Sequence, residues 1–283
     1  MTPTTFAARI AYDGTRFSGF QRQAVERGPT VQGEIEAALA RIAGEPIAIT
    51  AAGRTDSGVH AMGQVIGFRV AARLTGPDWR RALNALLPTD IAARAVGVAP
   101  DDFHARKHAL ERRYRYRILC DSARDPLRER YVWRVANRLD VAAMAAAAAL
   151  LVGEHDFAAF GSSPWDRKAD GYRAHTVRRL TLARCAWEPS VGAALDGEPD
   201  REPDGEDGGK PDEITFDFAA NAFLTGMVRR LVGTLALVGA GKLAPADVQA
   251  MLAAREKAHP GAAAPPQGLC LARVTYPSGM LAW

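Results

Sequence analysis

The run Gly53-Arg54-Thr55-Asp56-Ser57-Gly58-Val59-His60 holds the densest set of chemically useful side chains in the sequence. Asp56 has an arginine two residues before it and a glycine two residues after. The flanking segments, Ile47 to Ala51 and Val65 to Val70, are strand-like. An acid on a glycine-flanked loop at a strand end is held by a rigid scaffold yet open to a ligand. Three readings of the Thr-Asp-Ser-Gly tetrad stand side by side. It can be a structural turn, because Asp and Ser bond their own backbone. It can be an aspartic-protease-type acid, which needs a second carboxylate to share a proton. It can be a nucleophile in an enzyme acting on nucleic acid. The sequence has no second such tetrad, so a protease pair would have to come from a dimer. A nearby arginine holds a carboxylate ionised, which suits a nucleophile better than a shared-proton pair.

Three further segments bear on that acid. In Arg112-Arg113-Tyr114-Arg115-Tyr116-Arg117-Ile118, period two puts Tyr114, Tyr116 and Ile118 on one face and Arg113, Arg115 and Arg117 on the other. Such a strand is either half buried with a solvated basic face, or a platform where bases stack on rings and phosphates meet guanidinium groups. The stretch Asn221 to Arg230 opens a long apolar helix that contains Arg229. An arginine there either snorkels to water or needs a carboxylate partner, and Asp56 is the candidate. The loop from Tyr12-Asp13-Gly14 to Gly19-Phe20-Gln21-Arg22-Gln23 reads as a surface loop whose Gln21 and Arg22 could touch a ligand. His60 follows the acid, and Asp101 to Arg106 precedes the tyrosine strand.

The elements that must position these residues alternate. Phe6 to Tyr12 reads as a strand, and Thr30 caps a helix that ends at Gly44. Trp79 to Leu87 reads as a helix closed by Pro88, and Ile91 to Val98 as a strand. The second half follows with a strand at 112–119 and a helix at Val141 to Val152. Paired strands are expected at Thr176 to Trp187 and Glu213 to Phe218. A helix at Phe223 to Val238, another from Pro245 and a strand at Leu269 to Tyr276 complete the pattern. The fold class expected is α+β, as two similar α/β domains over residues 1–108 and 109–283. Each would be a ferredoxin- or RRM-like half with mixed antiparallel strands flanked by helices.

Composition is that of an ordinary globular chain, with 283 residues, 48% apolar and 24% charged. No leader resembling a signal peptide opens it, and no apolar run is long enough to span a bilayer. Cys120, Cys185 and Cys270 are far apart, and of the six histidines only His104 and His108 are close in sequence, four residues apart and without a Cys or third His nearby. No metal, organic cofactor or disulfide framework is therefore expected, and a reducing cytoplasm fits. The net charge of +4 hides an uneven distribution. Residues 189–212 carry eight acids against two bases, leaving 34 Lys and Arg against 24 Asp and Glu elsewhere. Rich in Gly and Pro, that segment cannot bury apolar surface and reads as a long, mobile hairpin insert, either solubilising or partner-binding. A basic, arginine-rich body makes nucleic acid a sensible partner.

Five segments in order resemble the tRNA pseudouridine synthase A family. They are Tyr12-Asp13-Gly14 with Gly19 to Gln23; Gly53 to Gln64; Phe103-His104-Ala105-Arg106; Arg113 to Tyr116; and Asn221-Ala222-Phe223 with Met227-Val228-Arg229. The resemblance runs from about Arg9 to Tyr276, interrupted by the acidic segment. It implies a pseudouridine synthase fold with a central basic cleft. It also implies isomerisation of uridine at positions 38, 39 and 40 of the tRNA anticodon stem-loop, a homodimer, and no metal or organic cofactor. By match, Asp56 is the nucleophile, Tyr114 stacks on the target base, Arg229 pairs with Asp56, and Arg54 replaces the flipped base. Gln21, Arg22, His60, Arg113 and Arg115 are the expected RNA contacts. Phe20 stands where the family usually has tryptophan, and Ser57 where many members have alanine. An RNA-binding module with a merely structural aspartate is the alternative.

Overall fold

The computed structural model describes residues 2–23, 28–71, 74–161, 176–188, 213–254 and 261–283. The acidic segment 189–212, expected as an insert, lies outside the described residues. The chain divides into two compact units. The first comprises Met1–Tyr114, Ala219–Phe223 and Leu269–Trp283, and the second Arg115–Phe218 and Leu224–Gly268. The architecture is α+β, with five helices and mixed, mostly antiparallel strands among the described residues.

In the first unit, β1 (Thr4–Tyr12) lies between two strands. It runs antiparallel to β3 (His60–Val70), with Phe6 opposite Phe68, and to β4 (Ile91–Val98), with Phe6 opposite Val98. The short β2 (Ile49–Ala51) pairs antiparallel to β3 on its far side. β10 (Leu269–Thr275) joins β3 in parallel, with Cys270 opposite His60. The β3 residues are buried almost without interruption, as expected of a strand covered on both faces.

Two helices accompany these strands. α1 (Val31–Ala43) begins where the Thr30 side chain accepts a hydrogen bond from Gly33 N and ends at Gly44, as the sequence predicts. It buries Val31, Ile35, Ala38 and Leu39 at helical spacing. α2 (Gly76–Leu86) starts earlier than expected, because Thr75 and Asp78 form a reciprocal capping box. It seats Trp79, fully buried, against the stacked rings of Phe6 and Phe68, with the Phe68–Trp79 centroids 5.3 Å apart and edge-on.

β5 (Glu111–Cys120) and β9 (Glu213–Ala220) carry the chain between the two units. In the second unit β9 lies between β5 and β8 (Val177–Glu188), and β7 (Gly153–Asp156) pairs antiparallel to β8. β6 (Trp133–Val135) runs parallel to β5, with Ile118 opposite Trp133. β6 and β7 are too short and too polar to announce themselves as strands, and form because neighbouring strands supply their pairing. α3 (Val141–Ala149) is capped by Asp140, and α5 (Pro245–Ala254) begins at the expected proline. α4 (Met227–Gly239) starts four residues later than the apolar run suggests. Gly226 sits at φ 70°, in the left-handed region, and sets that boundary. α4 buries most of its surface.

Trp79 is the anchor of the first unit. Trp79→Ala should cost about 3–5 kcal/mol through the cavity it leaves. Urea unfolding measures this, and a loss below about 1 kcal/mol would contradict the packing described.

Candidate active site

Asp56 lies, half-buried, on the segment that links β2 to β3. That segment forms neither helix nor strand, so its polar groups must find partners elsewhere. Ala52 N donates to Val65 O at 2.9 Å, tying the entry of the loop to β3. Gln64, buried on β3, donates from Nε2 to the Gly53 carbonyl at 2.8 Å. The Thr55 carbonyl accepts from Phe20 N at 3.1 Å, and its hydroxyl shares a 2.8 Å hydrogen bond with the buried Tyr12 hydroxyl. Ser57 Oγ donates to Phe17 O at 3.1 Å, and Val59 N closes a turn on Asp56 O at 3.2 Å. These anchors hold the loop in place, and Asp56 itself is half-buried.

The N-terminal loop supplies much of this clamp, and two of its glycines are required by geometry. A Cβ on Gly14 would stand 2.1 Å from the Val59 carbonyl oxygen, an impossible distance. At Gly19, φ is 96° and a Cβ would stand 2.9 Å from the Thr55 carbonyl oxygen. His60 belongs to the same seam. Its ring is buried, and Nδ1 accepts from Gly14 N at 3.0 Å. It braces the loop from below.

Tyr114 shares this neighbourhood. Its ring is buried and packs edge-to-face on Phe223, with centroids 5.1 Å apart. A Cβ on Gly53 would come 3.9 Å from the Tyr114 hydroxyl, so the phenol reaches the start of the acid loop. Burial pushes the Tyr114 phenol well above its ordinary range, and the negative charge of Asp56 pushes it further. The phenol is therefore a neutral donor at any physiological pH.

The other sequence-predicted residues are placed as follows. Arg54 and Gln21 are exposed. Arg22 is exposed, forms a 3.3 Å ion pair with Glu36, and donates from its backbone N to Gln32 Oε1 at 3.1 Å. Arg113 is half-buried on the face of β5 opposite Tyr114. Arg115, on that same face, is bound by Asp217 through Nε at 3.2 Å and Nη2 at 2.8 Å, with Glu188 at 3.7 Å. Its charge is thus already balanced within the protein, a fact that alternation alone could not disclose. Arg229, in the second unit, donates from Nε to Ala264 O at 2.6 Å and lies close enough to Tyr116 to act on it electrostatically.

Two supporting residues escaped the sequence reading. Gln64 and Arg112 are buried polar side chains in strands. Arg112 shares the Tyr114 face by the period-two rule, which was the signal available. Among the described residues, no three His, Cys, Asp or Glu side chains gather as a metal site.

Known proteins resemble this chain over most of its length. The profile of the family described as tRNA pseudouridine synthase matches residues 8–106 and 147–277. A protein of Moorella thermoacetica named tRNA pseudouridine synthase A is 44% identical over 268 residues, covering 94% of this chain and 97% of the relative. Proteins of the same name from Solidesulfovibrio magneticus and Geotalea uraniireducens are 43% and 42% identical. Each alignment covers 94% of this chain, with 89% and 97% of the respective relatives. The α+β fold and these matches define an isomerase of the pseudouridine synthase class. The chain belongs to the tRNA pseudouridine synthase family.

Tyr12, Tyr114, Tyr116 and Tyr276 are all raised by burial. A folded pKa above the unfolded value of about 10 means the associated stability is intact below that pH and is lost as pH rises beyond it. The urea midpoint should therefore fall steeply above about pH 10. A midpoint that stays flat through that range would contradict the burial of these phenols.

Proposed function

We propose that the chain isomerises uridine to pseudouridine at positions 38, 39 and 40 of the tRNA anticodon stem-loop, with Asp56 as nucleophile. The observation that carries this reading is the pairing of a half-buried, rigidly held Asp56 with the buried, neutral Tyr114 beside its loop. The relatives named tRNA pseudouridine synthase A support the substrate class.

In the reaction the bond from ribose C1′ to N1 breaks and a bond from C1′ to C5 forms. The C5 proton leaves, and N1 gains one. A carboxylate can begin this by adding to C6 of the ring or by acting at the sugar. A stacked uridine is out of reach, so the base must first leave the helix, at a cost of about a few kcal/mol. Tyr114 offers a ring for the flipped base, and exposed Arg54 a planar cation for the gap it leaves. Arg229 is proposed to pair with Asp56 and hold it ionised. Gln21, Arg22 and Arg113 are proposed to meet the RNA directly. Arg115 enters with its charge already matched by Asp217, and His60 acts through the loop it supports. The active form is proposed to be a homodimer in the cytoplasm, working without metal or organic cofactor. Among the described residues no helix is long and apolar enough to cross a membrane.

Release of tritium from tRNA labelled at uridine C5 tests the proposal. Asp56→Ala should lower release by about 10⁴-fold or more while tRNA still binds. Release at the wild-type rate would sink the role of Asp56, and no release by either form would favour a binding module. Arg229→Ala should keep tRNA affinity and lose turnover; lost affinity with unchanged turnover would remove it from the site. Affinity should drop roughly 10³-fold between about 50 and 200 mM salt if some six phosphates are contacted. A flat salt response would contradict a basic RNA-binding surface.

A further inference from the structure

Arg112 stands on β5 two residues before Tyr114, on the same buried face. Its side chain is buried, and among the described residues no carboxylate pairs with it. Instead five hydrogen bonds run from its guanidinium to four backbone carbonyls. Nε and Nη2 donate to Ala52 O at 3.2 and 2.9 Å. Nη2 also donates to Arg106 O at 2.7 Å. Nη1 donates to Ala109 O at 2.9 Å and Asn221 O at 2.7 Å.

Each of those carbonyls has a place in the site. Ala52 immediately precedes the Gly53-to-Asp56 loop. Arg106 and Ala109 follow Phe103, whose ring packs in the small core that also contains Ala52 and Val65. Asn221 lies two residues before Phe223, the ring on which Tyr114 packs. One planar cation thus gathers the start of the acid loop, the approach to the tyrosine strand and the turn that carries the tyrosine's packing partner. A buried cation without a counter-ion is tolerated only when all its donors are satisfied. Five carbonyl bonds meet that condition, and in return they tie four separate carbonyls to one side chain. Lysine, with three tetrahedral donors, cannot reproduce the fork.

We propose that Arg112 is a positioning residue that sets the distance between the Asp56 loop and Tyr114, and so governs the chemical step rather than RNA affinity. This rests on the reading of Asp56 as nucleophile. Arg112 touches neither the substrate nor the reacting atoms in this assignment. It acts through the Ala52 carbonyl on one side and its own strand on the other. A displacement of about 1 Å in such a pair lowers a rate by about 10²-fold.

The experiment compares four variants by single-turnover tritium release, tRNA affinity and thermal unfolding. Arg112→Lys should fold, bind tRNA as wild type does, and turn over about 10²-fold more slowly. Arg112→Ala should recover turnover in a saturable manner when guanidinium ion is supplied at low millimolar levels. Tyr276→Phe removes a different buried bond to the same region, that from Tyr276 Oη to Ala105 O at 2.6 Å. It should lower the unfolding temperature and leave turnover unchanged. Wild-type turnover in Arg112→Lys overturns the inference. So does a recovery of stability by guanidinium without recovery of rate. So does an equal rate loss in Tyr276→Phe, because Arg112 would then be one structural bond among many. Asp56→Ala separates the two readings: activity in that variant defeats the nucleophile itself, whereas an inactive Asp56→Ala beside a fully active Arg112→Lys defeats only the positioning role.

Discussion

A carboxylate proposed as a nucleophile must be held still, and the loop that carries Asp56 is fixed by hydrogen bonds along its backbone. The segment from Ala52 to Val59 has no regular structure of its own to absorb its backbone polarity. Unpaired peptide groups in a buried setting are costly, so each needs a partner brought from elsewhere. Those partners come from the N-terminal loop, from β3 and from β5. These bonds tie the Ala52, Gly53 and Thr55 carbonyls and the Ala52 amide to the rest of the unit, and the Val59 amide to the Asp56 carbonyl. The loop is thus stiffened largely through its main chain.

The two faces of β5 handle positive charge in opposite ways. On one face Arg115 and Arg117 sit against the carboxylates of Asp217 and Glu213, which are themselves almost wholly buried. Those bonds knit β5 to β9 with charges that cancel. On the other face Arg112 is surrounded by carbonyl dipoles and carries its full charge into the interior. The same face holds Tyr114, whose proton is retained by burial and by the nearby acid. A strand that reads as a simple alternation of arginine and tyrosine therefore separates structural cancellation from an electrostatically uneven site.

The sequence made a good part of this legible. The Asp56 loop stands out because an acid, two glycines and an arginine fall together between apolar runs. Alternation in residues 112–119 assigned Tyr114, Tyr116 and Ile118 to one face, and they are buried there. Thr30 and Gly44 bounded α1 by cap chemistry alone. What escaped was of another kind. Arg112 looked like one more member of a basic run, because its significance lies in carbonyls as many as 109 residues away. β6 and β7 owe their form to neighbouring strands, a tertiary effect without a local signal. The late start of α4 follows from the backbone angle at Gly226, which the apolar pattern around it conceals.

The unit that holds Asp56 is assembled from three separate stretches, including Ala219–Phe223 and Leu269–Trp283. β3 receives its parallel neighbour only when Cys270 and Leu271 arrive opposite His60 and Ala61. As the ribosome makes the chain from its N-terminus, the acid loop is synthesised early and remains incomplete until almost the last strand emerges. Such long-range closure slows folding, because distant segments must meet before their contacts stabilise anything. It also means that a nascent or prematurely ended chain carries the Asp56 loop without the strand that completes its unit. Completion of this unit is therefore tied to completion of the polypeptide, and the Asp56 loop reaches its final surroundings only once β10 is in place.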